Sequence, residues 1–153
     1  MPTSSERGRL LRLEDLEKMT RRQAREELFN LLFESEFRAD ESEKEIYATS
    51  KENREFADDD FIYRAYFKII ENKEEIDNTI GAHAHGWKTQ RLGRVSRAIL
   101  RLAVYELLYE KDIPSSVTIN EAVELSKKFD DEKARPFING VLNSVKNSLS
   151  EAK

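Results

Sequence analysis

Apolar side chains recur at helical spacing along most of the chain. Between residues 21 and 37 the inward positions are 24, 28, 31, 32 and 35, and Thr20 followed by Gln23 has the form of a capping box, so a first helix is predicted there. Residues 42–54 are charged and weakly apolar, the pattern of a short exposed helix. The acidic triplet at 58–60 suits a helix N-terminus, and Phe61, Ile62, Ala65, Tyr66, Ile69, Ile70 and Ile76 continue one buried stripe to about residue 79. A central helix is predicted over 91–109, with Val95, Ala98, Ile99, Leu102, Ala103, Leu107 and Leu108 inward, and Pro114 breaks it. Thr118 or its neighbours open a helix that ends at Phe129. Residues 130–132 then lead into a last helix through Phe137, Ile138, Val141, Leu142 and Val145. Ahead of all these, residues 1–19 are polar with leucines at 10, 13 and 16, which reads as a mobile N-terminal arm.

With five glycines and three prolines there is little punctuation for hairpins, and no segment alternates like a strand, so the fold is expected to be all-α. A chain of 153 residues supports one core rather than two. The domain is placed at residues 20–148, with 149–153 as a C-terminal tail. The absence of cysteine excludes disulfides and thiolate metal sites, and no apolar run reaches membrane length. The expectation is a soluble cytoplasmic protein with no membrane partner and no cofactor.

The formal charge of −4 conceals a division along the chain. Residues 1–25 carry seven Lys/Arg against four acids, residues 26–86 seven against seventeen, and residues 87–153 twelve against nine. Basic ends and an acidic middle are what solvated helix faces can produce by chance; they also fit two surfaces for partners of opposite charge.

Arg21, Arg22 and Arg25 cluster at the start of the first helix. On a helical wheel Arg22, Arg25, Phe29 and Phe33 fall within about 80° of one another, off the leucine face. Guanidinium groups beside the free N–H groups of a helix N-terminus form a phosphate site, and neighbouring rings offer unpaired bases a stacking surface. Two readings stand for Phe29 and Phe33: stacking surface, or core, the usual place of phenylalanine at helical spacing. A second basic run, Lys88, Arg91, Arg94, Arg97 and Arg101, either extends the anion-binding surface or is ordinary surface charge, with Arg101 paired internally to an acid such as Glu106 or Glu121. Catalytic chemistry finds no support. His83 and His85 point to different faces of a helix, and neither a metal-ligand set, a phosphate loop nor a nucleophile motif is present.

Four stretches, RRQAREELFNLLF at 21–33, WKTQRLGRVSRAILRLAVYEL at 87–107, IPSSVTINEAVELSKKF at 113–129 and PFINGVLNSV at 136–145, together resemble the NusB transcription antitermination factors in order and spacing. The resemblance covers about residues 20–146. It implies a single all-α domain of about six to seven helices in two stacked helical subdomains, without catalysis. Proteins similar to this bind the single-stranded boxA RNA of ribosomal RNA leader transcripts jointly with NusE, a ribosomal small-subunit protein, and act on the transcription elongation complex. By that resemblance the RNA contacts are Arg21, Arg22 and Arg25 on the first helix and Lys133, Arg135 and Phe137 at the start of the last, and the wheel adds Phe29 as a stacking candidate; Phe33 and Ser96 are candidates for the partner contact, and the acidic middle suits a basic NusE. Here the arm before the arginines is longer than usual, Leu28 stands where alanine is frequent, and Ser96 stands where many members carry an acid. Some members pair as dimers that hide the RNA surface, so a homodimer is an open alternative. So is a helical protein–protein adaptor without RNA binding. The same module occurs at the front of RNA cytosine methyltransferases, but these residues include no Rossmann-like segment or catalytic cysteine. Asn139 is expected as a buried amide and Gly140 as a point of close helix packing.

Overall fold

The computed structural model describes residues 20–54, 60–85 and 92–151, and every regular element among them is an α-helix. The order is α1 (Arg21–Ser35), α2 (Glu43–Arg54), α3 (Asp60–Glu71), α4 (Lys73–His83), α5 (Arg94–Tyr109), α6 (Ser115–Phe129) and α7 (Ala134–Glu151). The N-terminal arm lies outside the described residues. The chain divides into two units, the first ending at Arg64 and the second beginning at Ala65, so that the first five residues of α3 go with α1 and α2.

In the first unit, α1 starts where its cap dictates. Thr20 Oγ1 accepts from the Gln23 backbone N–H at 3.1 Å while the Thr20 N–H donates to Gln23 Oε1 at 2.8 Å, so two donors that a bare helix end leaves orphaned are satisfied reciprocally. Ala24, Leu28, Leu31 and Leu32 are buried as the spacing predicts. Packed against α1, the otherwise polar α2 contributes Ile46 and Tyr47 to the core, and Ser50 Oγ donates to Glu34 Oε2 at 2.7 Å.

The second unit is built around α5. Ten consecutive residues, Ala98 to Leu107, are buried, so this helix has no solvent face in its middle and contacts α4, α6 and α7. Two charged residues are enclosed with it. Arg101 makes a two-pronged bond to Asp77 on α4 (Nε–Oδ1 2.8 Å, Nη2–Oδ2 2.9 Å), and Glu106 accepts from Thr118 Oγ1 of α6 at 3.2 Å. Arg101 is therefore internal and paired with an acid, as one reading held, and the acid it grips with two bonds is Asp77.

Five boundaries differ from the sequence pattern. The first helix ends at Ser35 rather than 37. The single stripe expected to about residue 79 is two helices: the chain turns at Asn72, and the Lys68 carbonyl accepts both its side-chain amide at 2.8 Å and its backbone N–H at 3.0 Å. Ile76 lands in the core on the far side of that break. The central helix starts at Arg94 rather than 91. The next helix starts at Ser115, directly after Pro114, whose fixed φ suits a helix start. The last helix runs on to Glu151, taking in residues 149–151. Among the described residues no helix is long and apolar enough to cross a membrane.

Candidate nucleic-acid interface

A helix N-terminus carries the positive end of the dipole, and acids are the favoured residues of its first turn. The first turn of α1 has none; it has Arg21 and Arg22, both exposed. Each cation set against the dipole in this way costs a few tenths of a kcal/mol up to about 1 kcal/mol. The arrangement is unfavourable for α1 alone and favourable with an anion in front of it.

Arg21 does not hang freely in solvent. Its guanidinium carbon stands 4.1 Å from the centroid of the Phe61 ring, at the start of α3, and the guanidinium of Arg64 lies 5.7 Å from the same ring. Phe61 and Arg64 belong to the first unit; the sequence offered Phe61 only as a core position and did not single out Arg64, since nothing in the spacing of α3 says that its first turn meets the first turn of α1.

The rest of the predicted stripe turns inward. Arg25 is 3% exposed and engaged with other groups of the fold, and Phe29 is 3% exposed, so neither presents a surface to a ligand. Phe33 is half-buried, and Phe37, 56% exposed, is the open end of the row: Phe29 and Phe33 stack at 5.9 Å, and Phe33 meets Phe37 edge to face at 5.1 Å. Phe29 thus takes the core reading, and the exposed aromatic of α1's neighbourhood is Phe37.

In the second unit, the candidates at the start of α7 lie within one turn. Lys133 is exposed and Phe137 half-buried. Arg135 is half-buried, its Nε atom enclosed with no hydrogen-bond partner among the described residues. The following residues correct two expectations. Asn139 is exposed and accepts from Asn143 of the next turn, whose Nδ2 donates to its carbonyl at 2.9 Å and to its Oδ1 at 3.2 Å; Gly140 is exposed, and a Cβ added there would meet nothing within 4 Å. The Asn-Gly pair is therefore not a packing device of this chain. It leaves a low, polar step on the surface of α7 just beyond Phe137.

Ser96 is 9% exposed, and its hydroxyl donates to Asp130 Oδ2 at 2.5 Å, linking the first turn of α5 to the loop before α7. Of the second basic run, Arg94 is exposed, Arg97 half-buried and Arg101 paired with Asp77; Lys88 and Arg91 lie outside the described residues. His83 Nδ1 shares a hydrogen bond with Ser144 Oγ at 2.7 Å, tying α4 to α7, and among the described residues no group of three or more metal-ligating side chains is assembled.

The chain matches the model of the NusB family over residues 22–147. It is 42% identical over 133 residues to the transcription antitermination protein NusB of Bacillus pumilus, covering 87% of this chain and 99% of that protein. It is 37% identical over 134 residues to the protein of the same name from Bacillus subtilis, covering 88% and 100%. Among solved structures, T. maritima NusB superimposes with a TM-score of 0.78 at 37% identity, over 84% of this chain and 92% of that one. A crystal structure of antitermination factors NusB and NusE in complex with dsRNA gives 0.75 at 31% identity, over 85% and 99%.

Proposed function

The chain belongs to the NusB family, whose members are non-catalytic antitermination factors, and from there we propose that it binds the single-stranded boxA element of ribosomal RNA leader transcripts together with NusE, as a cytoplasmic adaptor for the transcription elongation complex. The observation that carries this reading is the first turn of α1, where Arg21 and Arg22 stand exposed at the positive end of the dipole with no acid among them. A phosphodiester backbone is the ligand that such a turn fits.

Within this reading Arg21 and Arg22 grip phosphates, Arg25 and Phe29 hold the helix that carries them, and Lys133, Arg135 and Phe137 form a second contact, with the Phe137 ring against a base. The proposed partner contact uses Phe33, at the edge of the exposed Phe37, and the Ser96 position. Ser96 spends its hydroxyl on Asp130, so the charge offered at that position is the Asp130 carboxylate, which suits a basic NusE.

Titrating labelled boxA RNA, a permuted single strand and a duplex, each with and without NusE, tests the reading. The boxA strand is expected to bind most tightly, and more so with NusE present. For single strands the slope of log K against log salt is about −0.7 per neutralised phosphate, so Arg21→Ala and Arg22→Ala together are expected to flatten it by about 1.4 while leaving base preference unchanged. Binding to NusE without any RNA binding would make the chain a protein adaptor and defeat the proposal.

A further inference from the structure

Phe61 is buried, yet the face of its ring is turned to a cation. The Arg21 guanidinium, 4.1 Å away, is close enough for a cation–π contact, and Arg64, one turn along α3 from Phe61, reaches within 5.7 Å. Two exposed guanidiniums are thus gathered around one ring, within about 10 Å of each other, from positions 43 residues apart in the chain.

The geometry points to Phe61 as a positioning residue for Arg21, and to Arg64 as a further backbone-binding cation of the RNA surface at the start of α1. This rests on the reading of that surface as the RNA site. A guanidinium has five N–H donors in its plane and an apolar face above and below. Contact through the face with Phe61 leaves the donors at the edge free for a phosphate, while restricting a side chain that otherwise loses much rotamer freedom on binding. An aliphatic residue at 61 would fill the same space without the negative ring face that attracts the cation. Because Phe61 is enclosed and its face is covered by Arg21, the ring acts through the arginine and does not itself stack on a base. Arg64 supplies a second charge beside the same ring, within reach of a strand held by Arg21 and Arg22.

The test uses the full chain and a labelled single-stranded RNA, with affinity measured across a range of salt and the melting temperature measured alongside. Arg64→Ala is expected to weaken binding several-fold at low salt and to flatten the salt slope by about 0.7. Phe61→Leu is expected to weaken binding about two- to fivefold. Phe61→Tyr, which keeps the ring face, should restore most of that. The double variant Arg21→Ala/Phe61→Leu should bind no worse than Arg21→Ala alone, since Phe61 acts only through Arg21. An unchanged slope in Arg64→Ala removes that residue from the surface. Losses at Arg21 and Phe61 that simply add, or a Phe61→Leu loss that tracks the melting temperature and is not restored by tyrosine, make the ring structural only. If Arg22→Ala also leaves RNA affinity and slope unchanged, the RNA site is elsewhere and the inference falls with it; if Arg22→Ala weakens binding while Arg64→Ala and Phe61→Leu do not, only the inference falls.

Discussion

Removing the carboxylate of Asp77 would strand the Arg101 guanidinium inside the second unit, where its side chain keeps only 10% of its surface in water. A buried charge deprived of its partner costs far more than the pair contributes, so Asp77→Ala is expected to lower stability by about 3 kcal/mol in denaturant unfolding, and replacing both members with apolar residues by much less. Tyr109 gives a test that depends on pH. Its hydroxyl donates to Glu75 Oε2 at 2.6 Å, and that bond, with some desolvation and the negative field of Glu75 and Glu71, pushes its pKa up to about 12 from 10.0. A phenol raised in this way contributes stability that is complete below about pH 10 and fades as pH climbs towards 12. The stability difference between the native chain and Tyr109→Phe should therefore be constant at neutral pH and close over that interval, and Glu75→Gln should let the phenolate absorbance of Tyr109 appear earlier. Residues of this kind show how far a wheel projection reaches. It sorted Leu28 and Leu31 correctly, and Thr20 and Gln23 formed their box, because those depend on one helix alone. It could not show that Arg25 is enclosed, and it left both the side of Phe29 and the acid of Arg101 open, because these questions turn on which neighbouring element lies alongside.

Helices in this chain are legible where a local device marks their ends and blurred where one does not. The capping box starts α1 at the expected residue, and Phe129 ends α6 as expected. The break at Asn72 escapes a periodicity argument because the apolar stripe resumes in phase after a single non-helical residue. On α7 the pattern gave the buried side, Ile138, Val141, Leu142 and Val145, while the outward Asn139 and Gly140 were assigned to packing that does not exist. Gly140 offers a clean measurement. Alanine there meets open space in an ordinary helical position, so Gly140→Ala is expected to raise stability by about 0.5–1 kcal/mol through lost freedom of the unfolded chain. If the low step beside Phe137 admits the RNA backbone, the same substitution weakens RNA binding, and a variant that melts higher but binds worse identifies a glycine kept for its surface. Unchanged affinity would show that the step is not used.

Over the whole molecule, the acidic stretch between residues 26 and 86 is expected to act on encounter with a basic partner more than on the bound state. Charges spread over solvated faces steer approach over a Debye length, about 8 Å at physiological ionic strength, and are screened beyond it. Raising salt should accordingly slow association with NusE more than it speeds dissociation, and stopped-flow traces showing the reverse would make that contact chiefly apolar. The fold class and the two ends that carry arginines could be read before any coordinates, since both are written in composition and spacing. The ring that gathers Arg21 and Arg64 could not, since it is a meeting of two first turns far apart in sequence. The enclosure of α5 has a consequence for how the protein is made. Its covering partners α6 and α7 follow it in the chain, and at about 5–20 residues per second the ribosome needs roughly 2–8 s to deliver them. Until both have emerged, the stretch from Ala98 to Leu107 has only α4 of its three covering helices, which makes it a part of the nascent chain that a chaperone has reason to hold.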